Sequence, residues 1–259
     1  MNGVDPLWRT VQEGLGPQPP ADFSQHPYVR WYMFNSGAGI RTDFLAHARQ
    51  ADPQLYEELR ARYRAVSHGA LEEPEPGDFA ANSRTAQHFY YLTRQCHSFP
   101  DLSRRRICEI GGGYGNLMRM FVQLGLCASY TIVDIDRIVD IQRLYADSCL
   151  TAAQRDRVRI LDIENPADAT ALEEASFDLV VSTFGLTEVP DDMRDWYLDR
   201  LVLRAPAVYL VGQYLWRGNK VGEQCLSRLG ERFAVEHRPF VWSSGNEGPT
   251  FEAVGRATD

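Results

Sequence analysis

The chain has 259 residues and a formal net charge of −8, and its composition is 44% hydrophobic and 24% charged. This length is enough for one α/β domain with a sizeable core plus an appendage, and the composition is typical of a soluble globular protein. The acidic balance argues against non-specific nucleic-acid binding, which requires basic patches, so we expect no nucleic-acid partner. No apolar run approaches the roughly 20 residues that span a bilayer, and the first residues lack a signal-peptide pattern. We therefore expect a cytoplasmic protein without a membrane partner.

The cysteines and acidic pairs predict neither disulfides nor a metal site. The five cysteines are scattered, without a C-x-x-C pair or a Cys/His cluster at zinc spacing. The adjacent acids Asp191 and Asp192 invite a metal interpretation. A position in the first turn of a helix explains them better, because negative charge there favours the helix dipole.

Residues 1–100 form a helical, aromatic-rich region that we interpret as a lid or substrate region. Residues 1 to about 25 are rich in proline and glycine and are expected to be an irregular arm. Leu45 to about Val66 is predicted as one helix and Ala81 to Cys96 as another, from apolar residues at helical intervals. The aromatic stretch Trp31–Phe34 is interpreted as core or as part of a lid that excludes water.

From Arg105 onward, strand-like runs alternate with helical ones, which is typical of a doubly wound, mostly parallel sheet. We expect this α/β domain to occupy residues 101–259. The predicted strands are Arg106–Ile110, Tyr130–Asp134, Val158–Asp162, Phe177–Thr183 and Ala207–Gln213, and then Phe233–Arg238 and Thr250–Gly255. The predicted helices between them cover about residues 116–124, 137–149, 168–175 and 191–203.

A glycine-rich turn lies between the first predicted strand and helix of this domain, with the sequence Glu109-Ile110-Gly111-Gly112-Gly113-Tyr114-Gly115. Glycines let the backbone approach a ligand closely, and the amino terminus of the next helix offers unpaired N–H groups. These features indicate a nucleotide cofactor. A dinucleotide fingerprint needs glycine at its first, third and sixth positions, and the sixth position counted from Gly111 is Asn116. An NAD-linked oxidoreductase is therefore the less favoured alternative.

The order acid-x-Gly-x-Gly-x-Gly resembles the first motif of class I methyltransferases, which use S-adenosylmethionine (SAM). The resemblance implies SAM as the cofactor, bound by Gly111, Gly112, Gly113, Tyr114, Gly115 and Asn116. It also implies a Rossmann-like fold whose seven-stranded sheet ends in an antiparallel hairpin. An ordinary glycine-rich turn without a ligand is the alternative.

Acidic residues end three of the predicted strands, where ligands of open α/β sheets bind. Glu109 ends the first strand, where it can orient the glycine turn and bind the ammonium side of the cofactor through backbone or water. Asp134 ends the second, about twenty residues past Gly113, which is the spacing of a ribose-binding carboxylate, and Asp136 is its competitor. Asp162 ends the third and can accept the adenine amino group, or instead form a turn or a helix cap. The apolar neighbours expected against the cofactor are Ile135, Leu161 and Ile163.

The fourth strand ends in Ser182-Thr183-Phe184, whose backbone is expected to contact the methionine part of the cofactor. Glu188 follows a short turn. It can orient the acceptor substrate or pair with the amino group of the cofactor, and capping of the next helix is the alternative.

Three segments together resemble the sugar O-methyltransferase family of bacteria, namely Arg106–Asn116, Tyr130–Asp134 and Val181–Glu188. The resemblance extends over residues 82–215 and implies methylation of a small-molecule acceptor, with a sugar hydroxyl as the acceptor group. Family members tend to have Asn-Tyr-Ala where this chain has Thr183-Phe184-Gly185, beside the expected acceptor pocket.

Methyl transfer is an in-line displacement that depends on positioning, and a hydroxyl acceptor also benefits from a general base. We interpret His88 as that base, because it lies on a predicted helix among aromatic residues, and a packing role is the alternative. Glu188 and Tyr214 are the other candidates. Since an amine acceptor needs no base, N-methylation stays open, as does a SAM-binding protein without turnover. RNA methylation is disfavoured by the acidic balance, and a homodimer is one assembly that the sequence allows.

Overall fold

The computed structural model describes residues 6–15, 27, 38–66, 83–240 and 250–258. Its strands are β1 (Arg106–Ile110), β2 (Ser129–Asp134), β3 (Val158–Asp162), β4 (Leu179–Thr183), β5 (Ala207–Gln213), β6 (Phe233–Phe240) and β7 (Thr250–Ala257). They form one sheet in the spatial order β3-β2-β1-β4-β5-β7-β6.

Strands β1 to β5 run parallel, and β7 pairs antiparallel with both β5 and β6. The predicted doubly wound sheet with a terminal antiparallel hairpin is therefore confirmed. The chain reverses its direction of travel across the sheet between β1 and β4, so the carboxyl ends of these strands border the crevice of a topological switch point. In this register Ile110 pairs with Ser182 and Asp134 pairs with Asp162. The strand-end candidates thus lie along one edge of the sheet.

The helices of the described residues are α1 (Pro6–Leu15), α2 (Ala38–Ala51), α3 (Pro53–Ala65), α4 (Ser83–Ser98), α5 (Asn116–Gln123), α6 (Asp136–Cys149), α7 (Ala152–Arg155), α8 (Pro166–Glu174), α9 (Asp191–Arg200) and α10 (Val221–Gly230). None of them is long and apolar enough to cross a membrane. The predicted helices within the sheet domain are confirmed as α5, α6, α8 and α9.

Two expectations for the amino-terminal region are wrong. The expected irregular arm contains α1, because Val11 and Leu15 lie one helical turn apart and are both buried in the core. The single helix expected from Leu45 to Val66 is two helices. Asp52 caps α3 by accepting the N–H of Leu55, and Pro53 takes the first helical position, which suits a residue without an N–H.

The helix α10 is not among the predicted elements. Cys225 and Leu229 lie one turn apart on it and are fully buried, which anchors it to the sheet. The stretch Trp31–Phe34, expected to be core or lid, lies outside the described residues.

Two hydrophobic clusters, one on each face of the sheet, form the core. The first joins Phe89 of α4 and Tyr63 of α3 to sheet residues such as Tyr130. The second joins Tyr197 of α9 and Leu229 of α10 to residues on the opposite face. Because α2, α3 and α4 contribute to the first cluster, they share a core with the sheet, and the domain boundary near residue 100 stays a prediction.

A buried charged network fixes α4 against the sheet. Glu252 on β7 is 2% exposed and accepts hydrogen bonds from Tyr90 and Arg94 of α4, each at 3.0 Å. It also accepts from Tyr209 at 2.8 Å and from Arg238 at 2.7 Å. Burial alone would raise the pKa of Glu252, but the charges of Arg94 and Arg238 outweigh it and the pKa is lowered. The network therefore holds an ionised carboxylate that positions α4.

The turn after β1 and the turn after β4 touch through bare backbone. A Cβ added to Gly185 would lie 2.5 Å from the carbonyl oxygen of Ile110 and 2.9 Å from the Cα of Gly111. A Cβ added to Gly111 would lie 2.8 Å from the Cα of Gly185. No side chain fits between the two turns, so both positions require glycine.

We predict that Gly185→Ala lowers the free energy of unfolding by about 1–3 kcal/mol, because its Cβ must displace backbone atoms. Gly230→Ala is the matched control. No atom lies within 4 Å of its added Cβ and its backbone is helical, so it should stabilise the protein by about 0.4–1 kcal/mol or leave it unchanged. Urea unfolding measures both changes. A Gly185→Ala protein as stable as the wild type would contradict the close contact.

Candidate active site

The glycine turn between β1 and α5 presents open backbone at Gly113. Gly113 has a φ of 56°, in the left-handed region that favours glycine, and a Cβ placed there would meet no atom of the described residues within 4 Å, its chain neighbours aside. A Cβ at Gly112, in contrast, would lie 2.8 Å from the Cγ2 of Ile132 on β2. The turn therefore packs tightly on the sheet at Gly112 and offers a cradle for a ligand at Gly113.

Glu109 lies beneath this turn. Its side chain is buried, and its Oε2 accepts a hydrogen bond from the hydroxyl of Tyr130 at 3.0 Å. The same oxygen is 3.2 Å from the position of a Cβ on Gly112. Burial raises the pKa of Glu109 to about 8, the charge of Asp134 adds to the rise, and the bond from Tyr130 opposes it. Glu109 thus supports the turn from below, and its contact with the cofactor through backbone or water stays a prediction.

Asp134 at the end of β2 is held from two sides and remains partly exposed. Its Oδ1 accepts the N–H of Ile135 at 3.0 Å, and its Oδ2 accepts the side-chain amide of Gln142 at 2.7 Å. The same amide nitrogen donates to the carbonyl of Gly113 at 2.9 Å. Burial raises the pKa of Asp134 to about 7, the charge of Asp162 acts in the same direction, and the bonds from Ile135 and Gln142 oppose the rise.

Gln142 is a site residue without a sequence signal. One side-chain amide on α6 joins the predicted ribose carboxylate to the glycine turn, and it does so from a fully buried position. A lone glutamine inside an amphipathic helix looks like any other polar residue. Only the fold reveals that α6 places it beside Asp134.

Asp162 at the end of β3 forms a turn with one of its oxygens. Its Oδ1 accepts the N–H of Asp136 at 3.2 Å and of Glu164 at 2.9 Å, and burial raises its pKa. Oδ1 of Asp162 therefore forms a turn, which was the alternative to a bond with the cofactor. The hydrogen bond from the adenine amino group to Asp162 stays a prediction. Asp136, the competitor for the ribose, pairs with Arg137 at 3.4 Å. The apolar neighbours Ile135, Leu161 and Ile163 are buried.

The residues that end β4 tie this strand to β1. The hydroxyl of Ser182 donates to the carbonyl of Ile110 at 3.1 Å and accepts the N–H of Leu186 at 2.9 Å. Phe184 has a φ of 75°, a strained value for a residue other than glycine, and such strain concentrates at functional sites. Thr183 and Phe184 are partly exposed and lie beside the glycine turn. Their contact with the cofactor stays a prediction.

Glu188 is fixed by Gln213, a residue at the end of β5 that carries no sequence signal. The amide nitrogen of Gln213 donates to Oε1 of Glu188 at 2.9 Å, and its oxygen accepts the hydroxyl of Thr187 at 2.5 Å. Pro190 takes the N-cap position of α9 and makes no side-chain cap bond. Tyr214 follows Gln213 and is half-buried.

Asn116, the first residue of α5, is the centre of a buried polar network. Its Oδ1 accepts from Arg119 at 2.7 and 2.9 Å and from the hydroxyl of Tyr145 at 3.0 Å. Its Nδ2 lies 3.2 Å from the hydroxyl of Thr85 and 3.1 Å from Nδ1 of His88, both on α4. These contacts occupy the side chain, so only the backbone of Asn116 remains for the predicted cofactor contact.

Tyr114 packs inward from the same turn. Its ring centroid lies 5.1 Å from that of Tyr145 and 6.0 Å from that of His88, and the side chain is buried. Tyr114 thereby attaches the glycine turn to α4 and α6. Because the side chain packs inward, only the backbone of Tyr114 remains for the predicted cofactor contact.

The network fixes the proton of His88. Arg119 has no acceptor, so the Asn116 atom that faces it is the oxygen, and the amide nitrogen faces His88. That nitrogen donates to Nδ1, which places the proton of the neutral ring on Nε2. Burial lowers the pKa of His88 well below its ordinary value, and the charges of Arg84 and Arg119 act in the same direction.

This tautomer argues against the interpretation of His88 as a general base. In the neutral ring, the lone pair of Nδ1 is taken by Asn116 and Nε2 carries the proton. No lone pair is left to remove a proton from a substrate. His88 is a hydrogen-bond donor.

Together these residues suit a ligand with hydroxyl and amino groups. The open backbone at Gly113 and the carboxylate of Asp134 are joined by one amide, and Asp162 pairs with Asp134 across the strands. Carboxylates accept hydroxyl and amino protons and repel phosphates. The donor and acceptor set at this edge suits a ribose.

We predict that Glu109→Gln stabilises the protein increasingly as the pH rises from 4.5 to 8. The carboxyl has a pKa of about 8 in the folded protein against an ordinary value of 4.5, so in this interval the folded state keeps a proton that the unfolded chain loses. The glutamine amide still accepts from Tyr130 and has no proton to lose. Melting temperatures of both proteins across this range measure the difference, and a difference independent of pH would contradict the raised pKa.

No protein-family model matches the chain, and no curated protein matches its sequence. Among solved structures, it is similar to Thermoplasma acidophilum 1320, with a TM-score of 0.49, 14% identity, and coverage of 78% of this chain and 97% of that chain. It is similar to the methyltransferase domain of bacterial CtHen1-CN, with a TM-score of 0.47, 14% identity, and coverage of 64% and 95%. It is also similar to precorrin-6y C5,15-methyltransferase from Geobacter metallireducens GS-15, with a TM-score of 0.49, 10% identity, and coverage of 74% and 98%. Likenesses this distant carry no inference about a substrate.

Proposed function

We propose that the protein is a SAM-dependent methyltransferase that acts on a small-molecule acceptor in the cytoplasm. The proposal depends on one observation at the switch point of the sheet, where the open backbone of Gly113 lies beside the carboxylate of Asp134. The side-chain amide of Gln142 bonds to both of them. The order acid-x-Gly-x-Gly-x-Gly supports SAM over a dinucleotide.

Different residues would hold different parts of SAM. Asp134 accepts both ribose hydroxyls through charge-assisted hydrogen bonds. Asp162 accepts the adenine amino group, and the buried side chains of Leu161 and Ile163 border the base. At the glycine turn, the absence of side chains lets the ligand lie directly against the backbone. When bound, SAM supplies a methyl group on a positively charged sulfur, which needs no further activation by the protein.

Glu188 takes the place of His88 as the residue proposed to receive the proton of the acceptor. Gln213 fixes its carboxylate at the carboxyl ends of β4 and β5, and Tyr214 lies next in the chain. A carboxylate there can receive the proton of an attacking hydroxyl, and positioning supplies much of the remaining rate. The resemblance to sugar O-methyltransferases suggests a sugar hydroxyl as the acceptor, and an amine is the alternative.

Asp134→Asn is expected to weaken SAM binding by about tenfold or more, because the amide lacks the charge and one of the two acceptor oxygens. In the wild type, SAM selects the ionised carboxylate, whose pKa in the free protein is about 7. SAM affinity should therefore fall as the pH drops below about 7, and the variant should lose this dependence. Calorimetry with SAM, and with NAD as the comparison ligand, measures both effects.

Two results would count against these assignments. SAM affinity that Asp134→Asn leaves unchanged would contradict the ribose contact. Binding of NAD in place of SAM would contradict the proposed function.

Glu188→Gln is expected to leave SAM affinity within about twofold of wild type and to lower kcat by about 100-fold, since the proton acceptor is lost while the cofactor site is intact. The control is Glu223→Gln, which changes an exposed acid paired with Lys220 on α10. Release of S-adenosylhomocysteine in the presence of a panel of sugar-containing hydroxyl compounds is the measurement. Full activity of Glu188→Gln would remove Glu188 from the mechanism.

A further inference from the structure

The ring of His88 has one hydrogen-bonding group that no residue described by the structure uses. Nδ1 accepts from Asn116, and within the described parts of the chain no group bonds to Nε2. His88 is 9% exposed, and Nε2 is not among the polar atoms shut off from solvent. A buried side chain therefore presents a single N–H, fixed in direction by the contact at its other nitrogen.

The ring of His88 borders the same glycine turn as the carboxylate of Asp134. Nδ1 of His88 is 3.1 Å from the side chain of Asn116, where α5 begins, and the ring packs against Tyr114 within the turn. Asp134 borders the turn from β2, through the amide that also bonds to Gly113. The turn is therefore bordered by the carboxylate of Asp134 from β2 and by the imidazole of His88 from α4.

The surroundings of His88 favour an anion. Arg84 lies one helical turn before His88 on α4, and Arg119 bonds to the same Asn116. Both charges act on the ring, since both lower the pKa of His88. An N–H in a positive field next to a helix amino terminus binds a carboxylate most strongly. SAM carries one anionic group, the carboxylate of its methionine part, while its sulfonium and ammonium groups are positive.

We propose that His88 binds the methionine carboxylate of SAM through its Nε2–H, supported by the positive charge of Arg84. The inference rests on the proposed function, because it takes SAM as the ligand. It assigns His88 to cofactor binding, with the direction of its N–H set by Asn116 and, through Asn116, by Arg119.

The test compares SAM with decarboxylated SAM, which lacks only this carboxylate, by calorimetry on the full-length protein. The wild type should bind SAM about tenfold more tightly than the decarboxylated compound. His88→Ala should lower SAM affinity about tenfold and leave the affinity for decarboxylated SAM within about twofold. His88→Gln should restore SAM affinity to within about threefold of wild type, because its oxygen can accept from Asn116 while its nitrogen donates as Nε2 does.

Thr85→Val is the matched control, since it removes the other neighbour of the Asn116 nitrogen without changing the imidazole N–H. It should not change the ratio of the two affinities, and thermal unfolding establishes that each variant is folded. Equal losses for both ligands in His88→Ala, or no loss for either, would overturn the assignment. A wild type that binds neither ligand would overturn the proposed function and this inference with it, whereas a wild type that binds both equally would overturn the inference alone.

Discussion

The site depends on the backbone contact between Gly111 and Gly185, which leaves no room for a side chain. This contact joins the turn after β1 to the turn after β4 at the point where the strand order reverses. The hydroxyl of Ser182 reinforces it by bonding to the carbonyl of Ile110 across the same gap. With the two turns locked together, Gly113 is left facing open space. The positions of the carboxylates on either side follow from the sheet register.

The electrostatics of the site divide it into two parts. Near β2, burial raises the pKa values of Glu109 and Asp134, because the charged carboxylates are poorly solvated there. Hydrogen-bond donors of a bound ligand can offset this loss of solvation. Near α4, two guanidinium groups act on the imidazole of His88, whose proton points away from Asn116. A ligand with hydroxyl groups at one end and a carboxylate at the other matches this division. The Glu252 network maintains it, because it holds α4 in place.

Sequence reasoning succeeded where short-range pattern determines structure. Strands β1, β3 and β5 match the predicted Arg106–Ile110, Val158–Asp162 and Ala207–Gln213, because buried parallel strands are short apolar runs bounded by turns. The separation of α2 from α3 was also present in the sequence, since Asp52-Pro53 combines an N-cap with proline at the first helical position. The apolar residues continue at helical intervals across that boundary, and this spacing predicted one helix instead of two.

The rest required the fold, because the partners lie far apart in the chain. Gln142 meets Gly113, and Gln213 meets Glu188, at separations that no local pattern reports. The residue type of His88 suggested a base, whereas its tautomer depends on Asn116, and the orientation of Asn116 depends on Arg119. A chain of three contacts thus changed the expected chemistry of one side chain.

The most direct measurement is a crystal structure with S-adenosylhomocysteine. It should show the ligand along the open backbone at Gly113, with both ribose hydroxyls hydrogen-bonded to the carboxylate of Asp134. Adenosine bound elsewhere, or a crevice filled by side chains at Gly113, would contradict the account.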